Sequence, residues 1–158
     1  MKSKFLLLTF LSLVLFVSCR AQSSAVAVLK TQPNIAVEIK RVHIHAFLAE
    51  YDRFLTLKVG DKSAAELQIA TDTGGYSRAN VYSTNSPNIF IVEDLQGFYE
   101  IDIAKKQINK SHLYPCKTPG EYIFIGAFDT DESKKWQFIP GSKRKQMKVE
   151  RGCSEEVK

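Results

Sequence analysis

The sequence lacks any apolar run long enough to cross a membrane as a helix. Its longest run, FLLLTFLSLVLFV at residues 5–17, holds about a dozen residues, whereas a spanning helix needs roughly 18 or more. Lys2 and Lys4 precede the run, and polar chain follows it. A short basic segment, a short apolar core and a polar continuation are typical of a cleaved export signal. Residues 1–18 are therefore predicted to be a signal peptide.

Several chemical signatures are also missing. The sequence has no glycine-rich phosphate-binding loop and no Gly-x-Ser-x-Gly, so the nucleotide-binding and serine-hydrolase classes have no motif here. Internal repeats and a sustained helical period are absent as well. The sequence therefore predicts no cofactor and little helix.

Two interpretations of the cleavage site follow from LFVSCRAQSS at residues 15–24. FVSC at residues 16–19 resembles the lipobox of bacterial lipoproteins, in which the cysteine becomes the first residue and carries acyl chains. The resemblance implies lipidation of Cys19 and stable attachment to a membrane. Arg20 stands where aspartate signals inner-membrane retention in that family, which implies an outer-membrane protein facing the periplasm or the cell surface. In the second interpretation, cleavage after Ala21 releases a soluble periplasmic or secreted protein.

The two remaining cysteines are an even pair in a compartment that permits disulfides. Cys116 lies in a polar connection and Cys153 lies near the C-terminus. We predict a disulfide between them, which closes a loop of about 37 residues and pins the C-terminal tail. Two unrelated thiols are the alternative.

The charge of the mature chain is modest. Loss of Lys2 and Lys4 with the signal lowers the formal net charge of +5 by two. The remaining excess is concentrated at residues 143–145, Lys148 and Arg151. This run is predicted to be a solvated tail, and contact with phosphates or anionic headgroups is the alternative. Nucleic acid is not a predicted partner, because export is predicted.

The first half of the mature chain shows the two-residue period of β-strands. Residues 19–34 are interpreted as the lipidated cysteine and a tether, although residues 25–29 also suit an edge strand. The apolar positions of residues 35–48 change phase at Lys40-Arg41, which predicts a β-bulge or a break there. Two strands at residues 53–59 and 64–70 are joined near Gly60. Their apolar pairing predicts an odd-length loop at residues 60–62 rather than a two-residue turn.

The second half of the chain continues as short strands. Candidates are residues 78–83, 88–93, 97–103, 121–128 and 135–140. NIFIVED and EYIFIGAF are apolar on both faces, as central strands covered on both sides are. Residues 35–158 are therefore predicted to form one all-β domain with a basic tail. Its architecture is a single antiparallel barrel or sandwich of about eight short strands.

One short motif carries possible chemistry. Asp72-Thr73-Gly74 follows a hairpin and, with the later Phe124-Ile125-Gly126, is similar to retropepsin-like aspartic proteases. The resemblance implies that Asp72 activates water, while Thr73 and Gly74 position the carboxylates. It also requires a homodimer, since two aspartates must share a proton. The alternative is a polar loop in which Asp72 hydrogen-bonds its own backbone.

Two histidines are weak metal-ligand candidates. His43 and His45 lie two residues apart, so on a strand their rings project from one face. A third ligand is needed, and His112 lies in a distant connection. A solvated strand face is the preferred interpretation, and no metal is predicted.

The sequence is compatible with three functions. The first is a non-catalytic, lipid-tethered module that binds an envelope protein, a glycan or another envelope component, with aromatic residues such as Phe98 lining a shallow face. The second is the retropepsin-like protease. The third is a periplasmic inhibitor or immunity protein against a cell-wall-degrading enzyme.

Overall fold

The computed structural model describes residues 24–45, 47–74, 78–94, 97–111 and 122–145. These residues form ten strands in two antiparallel sheets, which confirms the prediction of an all-β fold. The sequence predicted about eight strands, two fewer than the structure has. Within the described ranges there is no helix capable of crossing a membrane. The predictions for the signal peptide, Cys19, His112, Cys116 and Cys153 lie outside these ranges.

Sheet A is a four-stranded meander in the order β1-β2-β3-β4. Its strands are β1 (Ser24–Gln32), β2 (Ile35–His43), β3 (Tyr51–Val59) and β4 (Lys62–Asp72). One face of the sheet points toward sheet B and is apolar in its middle, where Val37, Ile39, Leu55 and Leu57 are fully buried. The strict alternation along β2 and β3 produces this inner face.

Sheet B has six strands in the order β10-β9-β5-β6-β7-β8. Its strands are β5 (Ala79–Thr84), β6 (Ile89–Asp94), β7 (Gly97–Asp102), β8 (Gln107–Ser111), β9 (Tyr122–Thr130) and β10 (Trp136–Pro140). Strand β9 leaves the sequential order to pair with β5, so the sheet contains one crossover.

The core lies between the two sheets. The side chains that sheet B contributes include Val81, Val92, Tyr99, Ile101 and Phe128. Edge strand β1 lies beside β10, and β4 lies beside β8, so the sheets approach each other at both corners. At the first corner Trp136 Nε1 donates to the Ile39 carbonyl oxygen over 3.0 Å.

The N-terminal boundary differs from the tether interpretation. Residues 24–32 form edge strand β1, whose Ala27 is buried against the core. The edge-strand alternative therefore describes this segment, and the described domain begins at Ser24 rather than at residue 35. The physical reason is that β2 has a free edge, which β1 covers with ladder hydrogen bonds.

The predicted irregularity at Lys40-Arg41 is absent. Strand β2 pairs with β3 without a register shift from Ile35 to His43. Arg41 therefore keeps the inward phase of Val37 and Ile39, whereas Val42 takes the outward phase. The bulge prediction was wrong because a charged side chain occupies an inward position.

The predicted odd-length loop after β3 is also wrong. Val59 pairs with Lys62, so the turn has two residues, and Gly60 has the positive φ of 60° typical of type II′ turns. A bulge at Ala64 then shifts the register, and Leu55 still faces Leu67. The extra residue of the bulge, rather than an extra residue in the loop, thus keeps the apolar side chains of β3 and β4 opposite each other.

Candidate functional site

Four charged side chains lie between the sheets at the end of the domain where β1 begins. We call Arg41, Arg53, Asp72 and Asp94 the charge cluster. Arg53 Nη2 lies 2.8 Å from Asp94 Oδ2, and both side chains are buried. Arg53 Nε also donates to the Ala70 carbonyl oxygen over 2.6 Å. This ion pair joins sheet A to sheet B.

The Arg41 guanidinium lies between two aromatic rings. Its Cζ is 3.9 Å from the Tyr51 ring centroid and 4.7 Å from that of Trp136. Nη2 lies 3.4 Å from Asp72 Oδ2, while Nε has no hydrogen-bond partner among the described residues. Burial lowers the pKa of Arg41 below its ordinary value, and the negative charge of Asp72 opposes that shift. The contacts explain how this cation occupies an inward position.

Asp72 ends β4 and is buried, with both carboxylate oxygens in contact with protein groups. Oδ2 faces Arg41, and Oδ1 accepts the Gly74 amide over 2.9 Å. Gly74 has a φ of +89°, and Thr73 and Gly74 are exposed. The contact to Gly74 is the one that the polar-loop alternative expects. The protease hypothesis also needs a second copy of the chain, related by a two-fold axis, that supplies the second aspartate. It stays a prediction.

The second segment of the protease resemblance lies in sheet B. Phe124-Ile125-Gly126 belongs to β9, whereas Asp72 belongs to sheet A. A Cβ at Gly126 would overlap the Ile139 carbonyl oxygen and the Phe138 ring. Close packing against β10 therefore accounts for this glycine.

The two candidate histidines stabilise the β2–β3 loop. His43 Nε2 lies 2.7 Å from the Leu48 carbonyl oxygen, and its ring centroid is 5.0 Å from that of Tyr51. His45 lies beyond the end of β2, where Nδ1 accepts the amides of Phe47 and Leu48. No group of three metal-binding side chains occurs in the part of the chain that the structure describes.

The outer face of sheet B carries a buried polar network. Glu93 Oε2 accepts hydrogen bonds from the Tyr82 hydroxyl and from Asn80 Nδ2, and Asn80 Oδ1 accepts one from Arg78 Nε. Beside it, Asp129 pairs with Arg144 over 2.7 Å. Arg78 Nη2 also donates to the Lys145 carbonyl oxygen. Residues 141–145 thus lie against this face.

An open recess of about 210 Å³ lies on the same face, at the end remote from Ser24. Its lining combines polar and apolar side chains: Thr84, Asn85, Ser86, Ile89, Ile91, Glu100 and Tyr122. The ring of the buried Tyr82 is adjacent to that of Tyr122, with centroids 6.4 Å apart. Glu100 is half-buried and forms part of this lining.

The Thr84 hydroxyl holds the rim of the recess in place. Its single proton can be donated to the carbonyl oxygen of Ser86 or to that of Ile89, and its oxygen accepts the Ser86 amide; each of the three distances is 3.1 Å. The β5–β6 turn therefore positions the side chains of Asn85 and Ser86 at the rim. A preformed rim lowers the ordering cost of binding.

Sequence reasoning missed this recess. Phe98, which the sequence assigns to the outer phase as a possible binding residue, does lie on the outer face, opposite Glu93, but it is not among the residues that line the recess. Glu100 follows two residues later on the same face but carried no recognisable motif. Its neighbours in the recess come from distant segments, and only the pairing of β5 with β9 and of β6 with β7 brings them together.

Comparisons with known proteins add no family to this description. No family model, no curated protein and no solved structure matches the chain.

Proposed function

We propose that the chain is an exported, lipid-anchored envelope protein whose β-domain is a non-catalytic binding module. The recess on the outer face of sheet B is its ligand site, and a glycan end unit is its ligand. The export signal and the lipobox-like sequence support the anchor. The observation that carries the binding function is the mixed lining of the recess.

The lining matches the surface of a sugar ring. Sugars present hydroxyl groups at their edges and C–H groups on their faces. Glu100 and Asn85 supply acceptors and donors for hydroxyl groups, while Tyr122, Ile89 and Ile91 supply apolar contact for a ring face. The volume is below the roughly 300–1,000 Å³ of sites for drug-sized ligands. It therefore suits one terminal unit of a larger chain.

The position of the recess also supports the proposal. Thr84 and Ile89 lie at the end of sheet B opposite to Asp94, and Asp94 contacts Arg53 at the end of sheet A where β1 begins. A domain tethered through residues before Ser24 therefore presents the recess away from its tether.

Titration of the ¹⁵N-labelled full chain with the disaccharide of N-acetylglucosamine tests the proposal. We expect amide shifts confined to residues 84–91, Glu100 and Tyr122. Tyr122→Ala and the nearly isosteric Glu100→Gln should each weaken binding about tenfold. Lys62→Ala, at the start of β4 in sheet A, is the matched control and should bind normally. Shifts confined to sheet A, or no shift at about 10 mM disaccharide, would contradict the glycan assignment.

A further inference from the structure

The described residues of the β2–β3 loop include three large apolar side chains that are exposed. Phe47 is 85% exposed, Leu48 52% and Ile44 45%. We call these three residues the apolar tip. Single exposed apolar side chains are common on protein surfaces, but three in one short loop, including an aromatic ring, mark an interaction surface.

Several polar backbone groups of this loop are hydrogen-bonded within it. The Ile44 amide donates to the Glu50 carbonyl oxygen over 3.0 Å. The amides of Phe47 and Leu48 both donate to His45 Nδ1, and the Leu48 carbonyl oxygen contacts His43 Nε2. These internal hydrogen bonds lower the cost of transferring the loop out of water, because fewer backbone groups lose a partner. The apolar tip is therefore preformed for a medium poor in water.

The apolar tip lies at the end of the domain nearest to the predicted anchor. Ser24, where β1 begins, is opposite Val42, and His43 is opposite Tyr51. The loop thus projects just beyond the first described residue. Cys19 precedes Ser24 by five residues, and five residues span at most about 17 Å. An acylated Cys19 keeps this end of the domain close to the lipid surface.

We propose that the apolar tip inserts into the interface of the membrane that carries the acyl chains. This inference rests on the lipid anchor of the proposed function and adds a second, non-covalent contact to it. The contact is driven by burial of Phe47, Leu48 and Ile44 rather than by charge, so it is insensitive to salt. It fixes the orientation of the domain and holds the recess away from the membrane.

A pair of tryptophan variants in the lipidated full chain tests the insertion. Phe47→Trp places an indole at the apolar tip. Ile123→Trp, the matched control, replaces another exposed apolar residue (60%) at the recess end of sheet B. Both proteins are reconstituted in protein-free phosphatidylcholine vesicles that contain lipids brominated near the headgroup. The buried Trp136 contributes equally to both spectra.

We expect the emission of Phe47→Trp to shift to shorter wavelength and to be quenched severalfold more than that of Ile123→Trp, in low and high salt alike. Equal quenching in the two variants would overturn the insertion. So would a shift that requires added envelope proteins, which would indicate protein docking instead.

Mass spectrometry of the N-terminal peptide separates the two possible failures. Acyl mass on Cys19 with an unquenched Phe47→Trp contradicts the insertion alone. Absence of acyl mass contradicts both the anchor and the insertion, while the disaccharide titration still reports on the recess.

Discussion

The outer faces of the two sheets differ although both sheets are antiparallel meanders over most of their width. On sheet A, Val26, Lys40, Glu66 and Gln68 are exposed to solvent. On sheet B, Asn80, Glu93, Ala127, Asp129 and Ile139 are buried. The same two-residue alternation therefore gives a largely solvated face on sheet A, where Thr56 is buried, and a largely covered face on sheet B.

The covering of sheet B explains the difference. Residues 141–145 return along its outer face and contact it through Arg144 and through the Lys145 carbonyl oxygen. A polar group beneath such a segment loses water and needs a protein partner. Arg78 and Asp129 find such partners in the Lys145 carbonyl oxygen and Arg144. Glu93 is bonded to Asn80 and Tyr82, and the part of the face around Glu100 remains open as the recess.

The largest loss of stability should come from a change in the interior between the two sheets. Arg53→Met leaves Asp94 buried without its cation, and we expect a loss of about 3–5 kcal/mol in the free energy of unfolding. Urea unfolding measures it. The double variant with Asp94→Leu should recover most of the loss, since two apolar side chains leave no unpaired charge. A double variant as unstable as Arg53→Met would show that the ion pair itself stabilises the interface.

Two matched glutamate variants compare the outer faces directly. Glu93→Gln replaces a buried carboxylate that accepts from Tyr82 and Asn80, and we expect a loss of about 1–3 kcal/mol. Glu66→Gln changes an exposed carboxylate that accepts from Thr56, and the loss should stay within about 0.5 kcal/mol. Equal losses in urea unfolding would mean that the two faces are equally hydrated.

Two ion pairs with equally exposed cations sharpen the comparison further. Lys58 pairs with Glu38 over 3.0 Å on sheet A, and Arg144 pairs with Asp129 over 2.7 Å on sheet B; each cation is 36% exposed. Lys58→Met should cost at most about 1 kcal/mol and less in high salt. Arg144→Met should cost more, because it also removes a contact of the covering segment. The reverse order in urea unfolding would contradict the role of residues 141–145.

Much of this architecture was predictable from the sequence. Alternation gave most of the strands, and the two-sided apolar pattern of NIFIVED and EYIFIGAF predicted that β6 and β9 are covered on both faces. The position of Arg41 was not predictable from hydropathy, because its partners Asp72 and Trp136 are distant in sequence. The recess was not predictable for the same reason: Asn85, Glu100 and Tyr122 meet only through strand pairing.

The smallest effects concern pH and two turns at opposite ends of sheet B. The Lys105 amide and ammonium lower the pKa of Asp102, and hydrogen bonds from the Ser133 hydroxyl and the Lys135 amide lower the pKa of Asp131. A carboxylate with a lowered folded-state pKa stabilises the fold above its unfolded pKa, about 3.9. That contribution disappears as the pH falls through the lower, folded-state pKa.

Asp102→Asn and Asp131→Asn should therefore destabilise the protein at neutral pH and approach the parent chain below about pH 4 in urea unfolding. The matched control is Asp61→Asn in the exposed turn of sheet A, and a pH-independent difference for both test variants would show that geometry, not charge, holds these turns.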